Sequence, residues 1–140
     1  MGNKDEFLEK QEESELGLSV RQINNLCTGI NLAAELKSEE FNFRKFITIH
    51  GYSYDGAGKR IKLRNVLNNL NIISQIYFEL HYYEISIEYY INNWDVTEDD
   101  LVNAVYKDDI RGIENLEVEL LNYIQDFSVL KPEWYCENLL

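Results

Sequence analysis

Few residues in this chain are of a type that performs chemistry, and their spacing limits what they can do. The two histidines, His50 and His81, have no Cys, His or carboxylate partners at zinc-ligand spacing. Neither a metal ion nor another cofactor is therefore expected. The run Asp55-Gly56-Ala57-Gly58-Lys59-Arg60 invites comparison with a phosphate-binding loop. That pattern needs Gly where Ser53 stands and Ser or Thr where Arg60 stands, so the expectation is a flexible loop without nucleotide hydrolysis. Cys27 and Cys136 lie far apart and lack metal-type spacing, which suits buried thiols in a reducing compartment.

Arg44 and His50 have five residues between them, a spacing that resembles the Arg-x(4 to 6)-His motif of the HEPN ribonucleases, which are small helical proteins. The resemblance implies metal-independent RNA cleavage, with His50 as general acid or base and Arg44 holding phosphate charge. It is confined to these two positions.

Charge carries the broader signal. With 13 Lys and Arg against 25 Asp and Glu, the 140-residue chain has a formal charge of −12. From Asp95 to Asp126 ten acids face Lys107 and Arg111, a net −8, whereas from Phe41 to Val66 six bases face Asp55, a net +5. Acids three or four apart on a helix repel by a few tenths of a kcal/mol per pair, and a cationic partner relieves that repulsion. The candidate contact residues are Asp95, Glu98, Asp99, Asp100, Asp108 and Asp109, with Trp94 and Tyr106 as aromatic anchors. The net charge opposes a phosphate backbone, so a basic protein is favoured over nucleic acid as the partner.

The elements that must position these residues read as helices. Ser19 and Gln22 form a capping box, followed by apolar residues from Val20 to Leu36. Phe41 to Lys62 reads as a helix ending at Gly51 and then a loop, with a hairpin through Asp55 to Gly58 as the rival reading. Ile61 to Trp94 lacks Gly and Pro and keeps near-heptad apolar spacing, which predicts a long central helix, although Ile, Tyr and Phe raise its strand propensity. Thr97 with Asp100 caps a helix to about Lys107. Another follows Gly112, with Ile113, Leu116, Leu120, Leu121, Ile124, Phe127 and Leu130 on one face, and Pro132 forces its end.

The predicted fold is all-α, or mainly α with one small β-hairpin: an irregular helical bundle around a long central helix. A flexible charged arm is expected at 1–16, a single helical domain at 17–131 and a tail at 132–140. With 45% hydrophobic residues the chain can fill one core. No apolar run reaches the roughly 18 residues of a membrane span, and the charged start from Met1 to Gln11 is unlike a secretion signal, so a cytoplasmic location is expected.

The functional expectation is a small acidic, non-enzymatic binding protein that inhibits a partner by covering a basic surface, including one that itself binds nucleic acid. In size and charge it is similar to immunity proteins, antitoxins and anti-CRISPR proteins. The alternatives are the HEPN-like ribonuclease and a homo-oligomeric structural protein assembled through Tyr82, Tyr83, Tyr89 and Tyr90 of the central helix.

Overall fold

The computed structural model describes residues 17–38, 41–63 and 75–136. The expected arm at 1–16, the last four residues of the tail and positions 64–74 of the expected central helix lie outside the described residues. An antiparallel sheet organises the rest, which overturns the helical bundle. The elements are α1 (Val20–Cys27), β1 (Leu32–Leu36), β2 (Phe43–Tyr54), β3 (Arg60–Lys62), β4 (Tyr77–Ser86), α2 (Glu88–Ile91), β5 (Val102–Arg111), α3 (Gly112–Leu120) and β6 (Lys131–Pro132). Strand order across the sheet is β5-β4-β2-β1-β6, with β3 also pairing to β2.

The capping box at Ser19 forms as expected, with Ser19 and Gln22 exchanging backbone-to-side-chain bonds. The helix then stops at Cys27, nine residues short of the expected end at Leu36. Gly29 has φ +86, its N–H donates to the Leu26 carbonyl, and the N–H of Ile30 donates to the Asn25 carbonyl. That pair of bonds is the left-handed helix stop which glycine allows without a Cβ clash. Leu32 to Leu36, freed from the helix, pair with Ile49 to Lys45 of β2.

The Phe41 to Lys62 stretch takes its hairpin reading and not the helical one. Asp55 organises the turn: its side chain accepts the N–H groups of Ala57 and Lys59, and Gly58 supplies φ +80. In the described part of the expected central helix β4 forms instead, pairing with β2 over ten residues, and among the described residues of that stretch α-helix survives only as the single turn of α2. The reason lies in how β4 is covered. Phe78, Leu80 and Tyr82 face the main core, while Tyr83 and Ile85 pack with Phe46 against Tyr89, Tyr90, Val96 and Leu101 on the other face. A strand buried on both faces loses its polar alternation and reads as a near-continuous apolar run. This two-sided arrangement also places Tyr82 and Tyr83 on opposite faces of a strand, not on the central helix through which self-assembly was expected.

Thr97 and Asp100 form their capping box, but it starts only a 3₁₀ turn at Glu98–Asp100, and β5 takes the place of the expected helix to Lys107. Period-two alternation in β5 is broken by two register shifts against β4. Asn103 (φ 51) and Asp109 (φ 55) hold left-handed conformations there, which Asn and Asp tolerate best among non-glycine residues. The final helix ends at Leu120 instead of reaching Leu130, and further on Asp126 opens a separate 3₁₀ turn by accepting the N–H and hydroxyl of Ser128. Of its expected apolar face, Leu116, Leu120, Ile124, Phe127 and Leu130 join the core with Leu26, Ile47, Ile49 and Phe78, Ile113 packs half-buried against it, and Leu121 is instead exposed because the helix has ended at Leu120. Among the described residues, no helix is long and apolar enough to cross a membrane.

Candidate functional site

Side chains alternate along β2 and β4, so Arg44, Phe46, Thr48, His50, Tyr52 and Tyr54 share one sheet face with Tyr77, Glu79, His81, Tyr83 and Ile85. This is the face opposite the helices α1 and α3. The segment from Tyr89 to Leu101 covers the end near Phe46 and Tyr83, and beyond it the face is a sheet of aromatic rings. Tyr77 lies 5.1 Å from Tyr54 and 6.1 Å from Tyr52, and His81 lies 4.8 Å from Tyr83 and 5.2 Å from Tyr106, centroid to centroid.

Arg60 binds this surface together. Its guanidinium sits 3.8 Å from the centroid of Tyr52, donates to Glu79 at 2.9 Å and approaches Asp108 at 3.7 Å. Stacking on an aromatic ring while bonding a carboxylate is the geometry guanidinium favours. Asp109 sits beside it, accepting the hydroxyls of both Tyr52 (2.6 Å) and Tyr54. These two hydroxyl bonds hold the Asp109 carboxyl below the usual carboxylate range. In return, burial and the bond to Asp109 push the Tyr52 phenol well above its ordinary value. Tyr106 is pushed up to about 12, first by its hydrogen bond to Glu79 and then by burial. Burial lowers both His50 and His81, with Glu98 and Glu79 opposing the shift at His81.

The acids and anchors expected from the sequence gather on this face, in two different states. Asp100 is committed to structure: its carboxylate accepts the Thr97 N–H, the Thr97 hydroxyl and the Tyr89 hydroxyl. The Thr97 N–H, followed by the two hydroxyls, lowers its pKa. Asp109 is likewise committed to the tyrosines. Asp95, Glu98 and Asp99 are exposed and have no ion pair among the described residues. Asp108 is exposed, with only the long contact to Arg60. Trp94 is 53% exposed, edge-on to Tyr89, and Tyr106 is 60% exposed over His81.

The basic segment docks partly on the protein's own acids. Arg44 bonds Glu35 and lies over the Tyr90 ring, and Arg60 bonds Glu79. Sequence reasoning missed the parts played by Arg60, Glu79, Tyr52 and His81, because they meet only through the pairing of β2, β3, β4 and β5. A hairpin at Asp55–Gly58 would have brought Arg60 back beside Tyr54, and that was the available signal.

The geometry implied by the HEPN resemblance is absent. Arg44 and His50 lie on one extended strand, six residues and so about 20 Å apart along its axis, too far to hold one phosphodiester. His50 Nδ1 instead lies 2.6 Å from Asn31 Oδ1. Among the described residues, no trio of His, Cys, Asp or Glu is placed to hold a metal ion. Cys27 and Cys136 form no disulfide among the described residues and are half-buried, and burial raises both thiols. Comparison of the chain with protein families, with curated proteins and with solved structures finds no match.

Proposed function

We propose that the protein is a non-enzymatic binder that occludes a basic surface on a partner protein, using the face built on β4 and β5. The observation that carries this reading is the placement of Glu98 and Asp108 near Tyr106 and His81 on one face, with Asp95, Asp99 and Trp94 exposed on the segment that crosses it. Free carboxylates accelerate encounter with a cationic surface, and exposed aromatic rings supply contact area at low entropy cost. Inhibition of the partner would follow from covering its basic residues, in a reducing compartment that suits two cysteines kept as thiols.

The test begins with affinity capture from the native host to identify the partner, followed by stopped-flow association with the wild type and with Glu98→Lys, Asp99→Lys, Asp108→Lys combined. Asp100 and Asp109 are left intact because their carboxylates hold the fold. The expected result is association that slows steeply with added salt, and a triple variant that associates at least tenfold more slowly at low salt with an unchanged circular-dichroism spectrum. An equal on-rate at low salt, or a partner whose contact surface is acidic or uncharged, would refute the reading.

A further inference from the structure

The opposite side of the sheet order carries the opposite chemistry. Beside β6, four strands away from the acidic β5, a cavity of about 690 Å³ opens between the first turn of α1 and the C-terminal segment. Among the described residues its charged lining residues are Arg21 and Lys131, and Leu130, Pro132, Trp134 and Tyr135 supply much of the rest. Two cations lining one cavity are notable in a chain of charge −12. Neither has an ion pair among the described residues. The two acids nearest Lys131 in sequence bond elsewhere: Asp126 accepts from Ser128, and Glu133 accepts from Asn31 at 3.3 Å.

The cavity is also preformed. Gln22, buried behind it, donates to the carbonyls of Phe127 (2.6 Å) and Leu130 (3.0 Å), which ties the α1 wall to the C-terminal wall. Trp134 and Tyr135 nonetheless remain 64% and 67% exposed, 6.0 Å apart at their ring centroids. Large exposed rings beside two cations that have no ion pair among the described residues offer a stacking surface and an anion site together. The volume falls within the range of small-ligand sites, about 300 to 1,000 Å³.

The geometry points to a binding site for a small planar anion of the nucleotide class, its ring stacked on Trp134 and its phosphate held between Arg21 and Lys131. This site lies apart from the acidic face and does not depend on it. Trp94 and Trp134 are the two tryptophans, so in Trp94→Phe the remaining indole reports on the cavity. That full-length variant would be titrated with adenosine 5′-monophosphate, with adenosine and with inorganic phosphate while tryptophan fluorescence is followed.

The expected result is saturable quenching by the monophosphate, with adenosine and phosphate each at least tenfold weaker. Arg21→Gln and Lys131→Gln, added singly, should each weaken the monophosphate about fivefold or more without altering circular dichroism. Calorimetry on Trp134→Leu should show a loss of similar size. Absence of saturable quenching at millimolar monophosphate overturns the proposal, as does equal affinity for adenosine or for phosphate alone, or unchanged affinity in both cation variants.

Discussion

Gln22 is the residue whose removal tests most directly how the helical layer is fastened to the rest of the chain. It is 9% exposed, and one side chain makes three bonds. Its Oε1 accepts the Ser19 N–H at 2.8 Å, and its Nε2 donates to the carbonyls of Phe127 and Leu130. Gln22→Ala removes all three bonds, leaving the Phe127 carbonyl with the Leu130 N–H at 3.1 Å. A typical hydrogen bond contributes about 1 kcal/mol net. Taking about 1 kcal/mol for each of the three lost bonds gives a loss of about 3 kcal/mol. With a urea dependence of about 1.5 to 2 kcal/mol per molar, the unfolding midpoint should fall by about 1.5 to 2 M.

Gln22→Glu sharpens the test through pH. The glutamate keeps an acceptor for Ser19 but turns a carboxyl towards two carbonyl oxygens, so its folded pKa should rise above the ordinary value of about 4.3. A raised folded pKa contributes stability below the unfolded pKa, and that contribution is lost as pH rises through the folded value. The penalty relative to wild type should therefore be smaller at pH 4 than at pH 7. Urea unfolding at both pH values measures it. A loss below about 1 kcal/mol for the alanine variant, or a glutamate penalty that does not change with pH, would show that these bonds do not fasten the layers.

Other consequences follow from the packing. A Cβ added at Gly51 would lie 2.9 Å from both the Leu26 carbonyl oxygen and Leu63 Cδ1, so Gly51→Ala should cost about 1 to 3 kcal/mol in chemical unfolding; a neutral result would show that α1 is loosely seated over β2. Asp109 combines a left-handed backbone with a carboxylate that two tyrosines share, so thermal stability at neutral pH should fall from wild type to Asp109→Asn and further to Asp109→Ala. Because its folded pKa is depressed, the carboxylate's contribution is present above the unfolded value of about 3.9 and lost as pH falls through the folded one; an acid limb of the stability profile unchanged in Asp109→Asn would contradict this. In an alkaline titration followed by near-ultraviolet absorbance, Tyr52 and Tyr106 should ionise above the ordinary tyrosine value of about 10, Tyr106 at about pH 12, and Tyr106→Phe should remove one late step.

Local chemistry alone was enough to determine several features of this protein. The capping boxes at Ser19 and Thr97, the buried series from Leu116 to Leu130 and the segregation of charge between Phe41–Val66 and Asp95–Asp126 can all be read from neighbouring residues. Each depends on groups within a few positions of one another, so no distant partner is needed to define it. The identity of β2, β4 and β5 as strands is different. Apolar cover on both faces of β4, and bulges at Asn103 and Asp109 in β5, erased the alternation that marks a strand.

Tertiary pairing also decided which charges are free. Arg44 and Arg60 found Glu35 and Glu79 across strands, Asp100 and Asp109 were taken by tyrosine hydroxyls, and Glu98 was left exposed near His81. A sequence sums charge along the chain, but the energy of a charge depends on what lies within a few ångströms of it in space. Folding brings those neighbours in from as far as 102 positions away, as for Asn31 and Glu133, and from 57 for Tyr52 and Asp109.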